Sequence, residues 1–298
     1  MNITLQDKIK NELVGVGQKG GEFTELVDFD GKDLLVCANL RTNSFTVFRW
    51  NWKLKRLALI QGTFPFPELL KGHRQMTHGV RFYPSAKNSH VVATTAQFKR
   101  HPESLAVRFF DWKINETRAE LLMSETLYKG LGPQDVYFID KHNMLVAYTG
   151  NRVSPRLKKD EKCREAEAEA VFSSHLVHYR LHFDLDKTSD GFDSASFEQV
   201  QSIRYLHSHP DSISYKDGIA VMSDQYNDHV TLVLVDPTGT KNMTHIGILT
   251  GYHMNHGVAL SHNRKYLAVT QYGDNSVILN RFPRWMEDKL LKFQATLK

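Results

Sequence analysis

The sequence predicts an all-β fold, a five-bladed β-propeller formed as a single domain over residues 1–298. Two observations predict it. A short strand-like segment recurs five times, and each copy is followed by segments in which apolar and polar residues alternate with a period of two. Four-stranded units that repeat every ~40–50 residues are typical of propeller blades. The five first segments lie at 26–29, 80–83, 136–139, 212–215 and 258–261.

Each first segment is followed by a turn and then by a more apolar second strand and an alternating third strand. We expect the second strands at 34–38, 90–94, 144–148, 218–222 and 266–270, and the third strands at 44–50, 105–112, 175–183, 230–236 and 276–282. A weaker fourth strand is expected at 56–61, 118–124, 198–206 and 244–250. The fifth copy has no obvious fourth strand, which would come from 289–297 or from the N-terminal segment.

The copies begin 54, 56, 76 and 46 residues apart, and the one long interval indicates an insertion at about 150–174. Its helix-forming residues, with opposite charges near i,i+4 spacing, favour a lid, and a solvated excursion without a role fits equally well. The rival folds are a sandwich and a six- or seven-bladed ring with degenerate blades. The gap between the first two copies is too short to contain a further blade.

Composition narrows the partners and the compartment. The 38 basic and 33 acidic residues are spread along the chain and give a net charge of +5, without the concentrated basic face that nucleic-acid binding needs. No apolar run approaches the roughly 18 residues of a membrane span. Two cysteines, Cys37 and Cys163, are too few for a disulfide framework. We therefore expect a cytoplasmic protein that binds neither nucleic acid nor membrane; its oligomeric state is left open.

Two copies carry a family resemblance. Residues 256–277, HGVALSHNRKYLAVTQYGDNSV, and residues 31–48, GKDLLVCANLRTNSFTVF, resemble the repeat of lactonase-type propellers, the 6-phosphogluconolactonase-like family. The resemblance implies a propeller fold. It also makes the hydrolysis of a lactone or a related small polar or anionic molecule the first reaction to test.

The residues that begin the first strands form the candidate site. In a propeller these strands line the central channel, and the chain enters each of them from the same side, so their first residues would ring one axial mouth. The predicted acid/base groups there are His78, His209 and His256, with Asp211 and Gln134 orienting the substrate. Imidazole suits this chemistry because it titrates near neutral pH.

Loops on the same side of the ring supply further candidates. The residues expected to bind a polar or anionic part of the substrate are Arg41, Lys99, Arg100, Tyr226 and Tyr272. As a second possibility, His78, His209 and His256 would bind one divalent metal, zinc, iron or calcium, completed by Glu25, Asp135 or Asp211.

Two alternatives remain open at this point. The histidines would serve structure alone if they hydrogen-bond the backbone of neighbouring blades. The whole protein would then be a non-catalytic propeller that binds a protein or carbohydrate partner through one face. The chemistry therefore favours a hydrolase or lyase, with a binding module as the alternative.

Overall fold

A computed structural model describes residues 24–39, 44–65, 76–84, 91–97, 106–112, 119–125, 127, 131–150, 173–183, 195–206, 210–224, 228–271, 274 and 276–295. These ranges contain nineteen strands and one helix. The strands form five antiparallel sheets, and in each sheet the spatial order of the strands follows the chain. The fold class is a five-bladed β-propeller, as the repeats predict.

The first compact unit contains residues 1–127 and 185–192, and it holds blades 1 and 2. Blade 1 consists of β1 (Thr24–Phe29), β2 (Leu34–Asn39), β3 (Ser44–Asn51) and β4 (Arg56–Pro65). Blade 2 consists of β5 (Met76–Phe82), β6 (Val91–Gln97), β7 (Ala106–Asp111) and β8 (Glu120–Glu125). The two blades share an apolar core that includes Val36, Phe45, Val80, Phe110 and Trp112, all of them fully or almost fully buried.

The second compact unit contains residues 128–184 and 193–298, and it holds blades 3, 4 and 5. Blade 3 consists of β9 (Leu131–Asp140), β10 (Asn143–Gly150), β11 (Ser173–Leu181) and β12 (Phe197–Leu206). Blade 4 consists of β13 (Pro210–Lys216), β14 (Ile219–Asp224), β15 (His229–Leu234) and β16 (Thr244–Thr250). Blade 5 has β17 (Asn255–Leu260), β18 (Tyr266–Gln271) and β19 (Ser276–Arg281), and helix α1 (Arg284–Ala295) follows it.

The strand expected at 289–297 is wrong, because helix α1 extends to Ala295. Met286 and Leu290, one helical turn apart, are buried in a core shared with Val221 and Leu232 of blade 4. Phe293 packs against the same core, and the spacing i, i+4, i+7 puts these three residues on one helical face, whereas on a strand Phe293 would point away from Leu290. The other source of a fourth strand, the N-terminal segment, lies outside the described residues, as does the insertion expected as a lid.

The described part of the chain contains no helix that is both long and apolar enough to cross a membrane. The prediction that residues 1–298 make one domain stays a prediction.

Candidate functional site

The first strand of every blade has an irregularity in its pairing to the second strand within its N-terminal half. In blade 5, Asn255 pairs with Gln271 and Val258 pairs with Val269, so two residues of β17 lie opposite Thr270 alone. This is a β-bulge, a device that re-aims side chains and is common beside active sites. The residues in the bulges are Glu25 and Leu26, His78 and Gly79, Gln134, Asp211 and Ser212, and His256 and Gly257.

In blades 2, 4 and 5, a side-chain hydroxyl of the second strand accepts a hydrogen bond from a backbone amide of the bulge. The amide of Gly257 donates to Thr270 Oγ1 at 2.6 Å, and the amide of Gly79 donates to Thr95 Oγ1 at the same distance. A Cβ at Gly257 would lie 2.9 Å from that Thr270 oxygen, closer than side-chain carbons approach. Gly257 therefore permits a close backbone contact next to His256 that a larger residue would prevent.

The bulges of blades 4 and 5 bring a carboxylate and an imidazole together. Asp211 Oδ2 lies 2.6 Å from His256 Nδ1. The Asp211 side chain is 1% exposed and the His256 side chain 15% exposed, so the carboxylate is buried behind a partly accessible ring. The contact is an ion pair without hydrogen-bond geometry, so the carboxylate offsets positive charge on the ring, and Nε2 is the nitrogen left for proton exchange with a substrate.

Ser223 on β14 forms hydrogen bonds to the backbone next to Asp211 and to the backbone of His256. Its hydroxyl accepts from the amide of Ser212 at 2.9 Å and donates to the carbonyl of His256 at 2.6 Å. The residue after Asp211 and the backbone of His256 are thus fixed to one buried side chain. Sequence reasoning missed Ser223, although its place in the repeat, equivalent to Thr270 and opposite a bulge, was a usable signal.

A second carboxylate–imidazole pair lies in blade 4. His229 Nε2 is 3.3 Å from Asp224 Oδ2, and this carboxylate is also buried. Asp224 pairs in register with Pro210, the residue before Asp211. The side-chain amide of Asn255, the residue before His256, donates to the carbonyl of His229 at 2.8 Å. The two pairs therefore lie on neighbouring backbone at one end of blades 4 and 5, and the second was not among the predicted site residues.

Asp135, one of the carboxylates considered for a metal shell, has a different surrounding. Its Oδ1 accepts from the amide of Val136 at 2.8 Å, and its Oδ2 accepts from the amide of Ile213 at 2.8 Å. The latter bond joins β9 of blade 3 to β13 of blade 4. This carboxylate is buried and ties two blades together.

Of the remaining predicted site residues, two are described by the structure and the others are not. Gln134 and His78 are buried at the bulges of blades 3 and 2. Those outside the described residues are His209, Arg41, Lys99, Arg100, Tyr226 and Tyr272. Among the described ranges no three His, Cys, Asp or Glu side chains are grouped so that they could hold a metal ion. Because His209 is not described, the three-histidine metal site stays a prediction.

No protein-family model and no curated protein matches the chain. Among solved structures, a putative 6-phosphogluconolactonase from Bacteroides fragilis NCTC 9343 has a TM-score of 0.50 at 16% identity, covering 86% of this chain and 65% of that one. A putative 6-phosphogluconolactonase from Bacteroides uniformis ATCC 8492 has a TM-score of 0.47 at 15% identity, covering 87% and 66%. The chain spans slightly less than two thirds of their length. The likeness to lactonase-type propellers is thus a likeness of fold.

Proposed function

We propose that the protein is an enzyme that hydrolyses a small polar or anionic molecule, with His256 as the acid/base group and Asp211 as the residue that orients it. The observation that carries this proposal is the buried carboxylate 2.6 Å from His256 Nδ1. Packing alone gives no reason to bury an aspartate against an imidazole, because burial of an ionised carboxylate is costly unless a partner offsets it.

The proposed reaction is the opening of a lactone by water. Nε2 of His256 takes a proton from water as the water oxygen bonds to the lactone carbonyl carbon. The ring C–O bond then breaks, and the imidazolium returns the proton to the departing oxygen, so that one water is added and the imidazole is regenerated. Asp211 stabilises the imidazolium during the step.

The substrate class rests on the fold neighbours and on the predicted loop residues. Because those neighbours are named as lactonases, lactones are the first substrates to test. Gln134 would bind a substrate hydroxyl, and the loop residues predicted from the sequence would bind an anionic group such as a phosphate.

The direct test is acid release from a panel of γ- and δ-lactones, with and without a phosphate, followed at constant pH. His256→Gln is expected to lower kcat/KM by roughly 10²–10⁴-fold, the usual contribution of a general acid/base group. His253→Gln is the matched control, because His253 also faces an aspartate, Asp274, at 3.1 Å, with both side chains about half exposed. Equal rates in wild type and His256→Gln would contradict the proposal.

The metal alternative has a separate test. A carboxylate beside Nδ1 also orients metal-binding imidazoles whose Nε2 is the ligand, so the Asp211–His256 pair is compatible with zinc or iron, whereas calcium prefers oxygen ligands. Stoichiometric metal in the purified protein, lost in both His78→Ala and His256→Ala, would support it. Metal-free wild type with full activity would contradict it. The cytoplasmic location stays a prediction from the sequence.

A further inference from the structure

The turn between β3 and β4 in blade 1 exposes large apolar and cationic side chains together. Its residues 51–56, Asn-Trp-Lys-Leu-Lys-Arg, are all exposed. Trp52 is 61% exposed and Leu54 54% exposed, and both are large apolar side chains at the end of a projecting turn. Lys53 follows Trp52 in the sequence, and the cationic residues Lys55 and Arg56 follow Leu54. We call residues 51–56 the tip.

The exposed tryptophan is held in place. Its Nε1 donates to the carbonyl of Lys32 at 2.8 Å, and its ring meets those of Trp50 and Phe29 edge-on, with centroids 6.1 and 6.3 Å away. The turn itself is closed by the amide of Leu54, which donates to Asn51 Oδ1 at 2.8 Å. The tip is therefore preorganised, and binding through it would cost little conformational entropy.

The acidic groups beside the tip are already engaged. The Asp30 carboxylate accepts three backbone amides of its own turn, and Asp33 forms an ion pair with Arg49 at 3.1 Å. Within the ranges that the structure describes, Lys53, Lys55 and Arg56 form no ion pair at the tip. The apolar pair is thus surrounded by uncompensated positive charge.

The shape and the charge select one class of partner. A small ligand or an extended peptide needs a concave site, and a projecting turn offers none. A lipid surface accepts a protrusion, tryptophan prefers the membrane–water interface, and lysine and arginine bind anionic headgroups. We propose that the tip docks the protein on an anionic phospholipid surface. The sequence expectation of no membrane partner rested on the lack of a spanning segment, which peripheral docking does not require.

The test is co-sedimentation of the full chain with vesicles of phosphatidylcholine alone and of phosphatidylcholine mixed with phosphatidylglycerol. We expect binding to the mixed vesicles that weakens as salt is raised. Lys53→Gln with Lys55→Gln should weaken it by roughly 25-fold, about fivefold for each lysine removed. Trp52→Ala with Leu54→Ala should weaken it at least about tenfold.

The matched control is Leu291→Ala with Lys292→Gln on helix α1. Leu291 is 61% exposed, so this double variant removes a similar apolar and cationic pair elsewhere. It should bind the mixed vesicles like wild type. Absence of binding, equal binding to neutral vesicles, or equal losses in tip and control variants would overturn the proposal. Tip-dependent binding of soluble polyglutamate without vesicle binding would also overturn it and indicate an acidic protein partner.

Discussion

Asp135 and Asp211 lie at the bulged starts of the first strands of consecutive blades, and both carboxylates are buried. Both oxygens of Asp135 accept backbone amides, from Val136 and Ile213. Asp211 instead faces the imidazole of His256 at 2.6 Å. In nearly the same place, one aspartate therefore has both oxygens bonded to backbone amides, and the other has one oxygen against a titratable side chain. The following blade supplies a backbone amide to Asp135 and an imidazole to Asp211. This difference makes Asp211 the candidate catalytic carboxylate.

The largest expected effect is on activity in Asp211→Asn. The variant keeps the shape but removes the charge that stabilises the imidazolium, so kcat/KM for the best lactone should fall roughly 10²–10⁴-fold. The free energy of unfolding in urea should stay within about 1 kcal/mol of wild type. A stability loss without an activity loss would show that Asp211 resembles Asp135 in role.

Asp135→Asn should give the opposite result. One amide bonded to the carboxylate, that of Val136 or Ile213, would face an NH₂ group instead of an acceptor and stay unsatisfied. The free energy of unfolding should therefore fall by about 1–3 kcal/mol. kcat of the folded fraction should change less than about threefold. Urea unfolding and lactone hydrolysis measured on one preparation separate the two quantities, and a loss of kcat like that of Asp211→Asn would break the comparison.

Histidines differ in the same way: His256 contacts a carboxylate, whereas His178 is buried against a neutral side chain. This histidine on β11 is fully buried and meets the Asn143 side-chain oxygen at 3.0 Å, and burial, aided by Arg180, lowers its pKa from 6.5 to about 4. The unfolded chain therefore takes up this proton first as pH falls. Its contribution to stability is complete above pH 6.5 and is lost towards pH 4, which amounts to about 2 kcal/mol between pH 7.5 and pH 5.

Urea unfolding at these two pH values measures this difference. His178→Gln should remove about 2 kcal/mol of the pH dependence. An unaltered pH dependence in His178→Gln would mean that His178 binds its proton as readily in the folded protein as in the unfolded chain, which would contradict the lowered pKa.

The smallest expected effect concerns Ser223. Ser223→Ala removes the hydroxyl bonded to the amide of Ser212 and the carbonyl of His256, so kcat should fall about tenfold and the free energy of unfolding by about 1 kcal/mol. Ser214→Ala is the control, because Ser214 Oγ accepts from the amide of Leu260 at 3.0 Å, also between blades 4 and 5. If both variants lose the same activity, the Ser223 effect is general to the contact between these blades.

The five blades could be predicted from the sequence because their strands have a period-two pattern and recur along the chain. It also located the bulged residues, since His256-Gly257 recurs as His78-Gly79. It did not reveal Ser223 or the Asp224–His229 pair, because these contacts depend on the pairing register within a blade and on contacts between blades. Helix α1 was not predicted because the short apolar run Leu290 and Leu291 has no distinctive period, and the helical spacing appears only when Met286 and Phe293 are considered with Leu290.

The most direct measurement of the central claim is a double-mutant cycle on kcat/KM with Asp211→Asn, His256→Gln and the two together. If the pair acts as one unit, the double variant should be no slower than His256→Gln alone, because Asp211 has no effect once the imidazole is gone. If the two losses multiply in the double variant, Asp211 and His256 act independently, which would contradict the account.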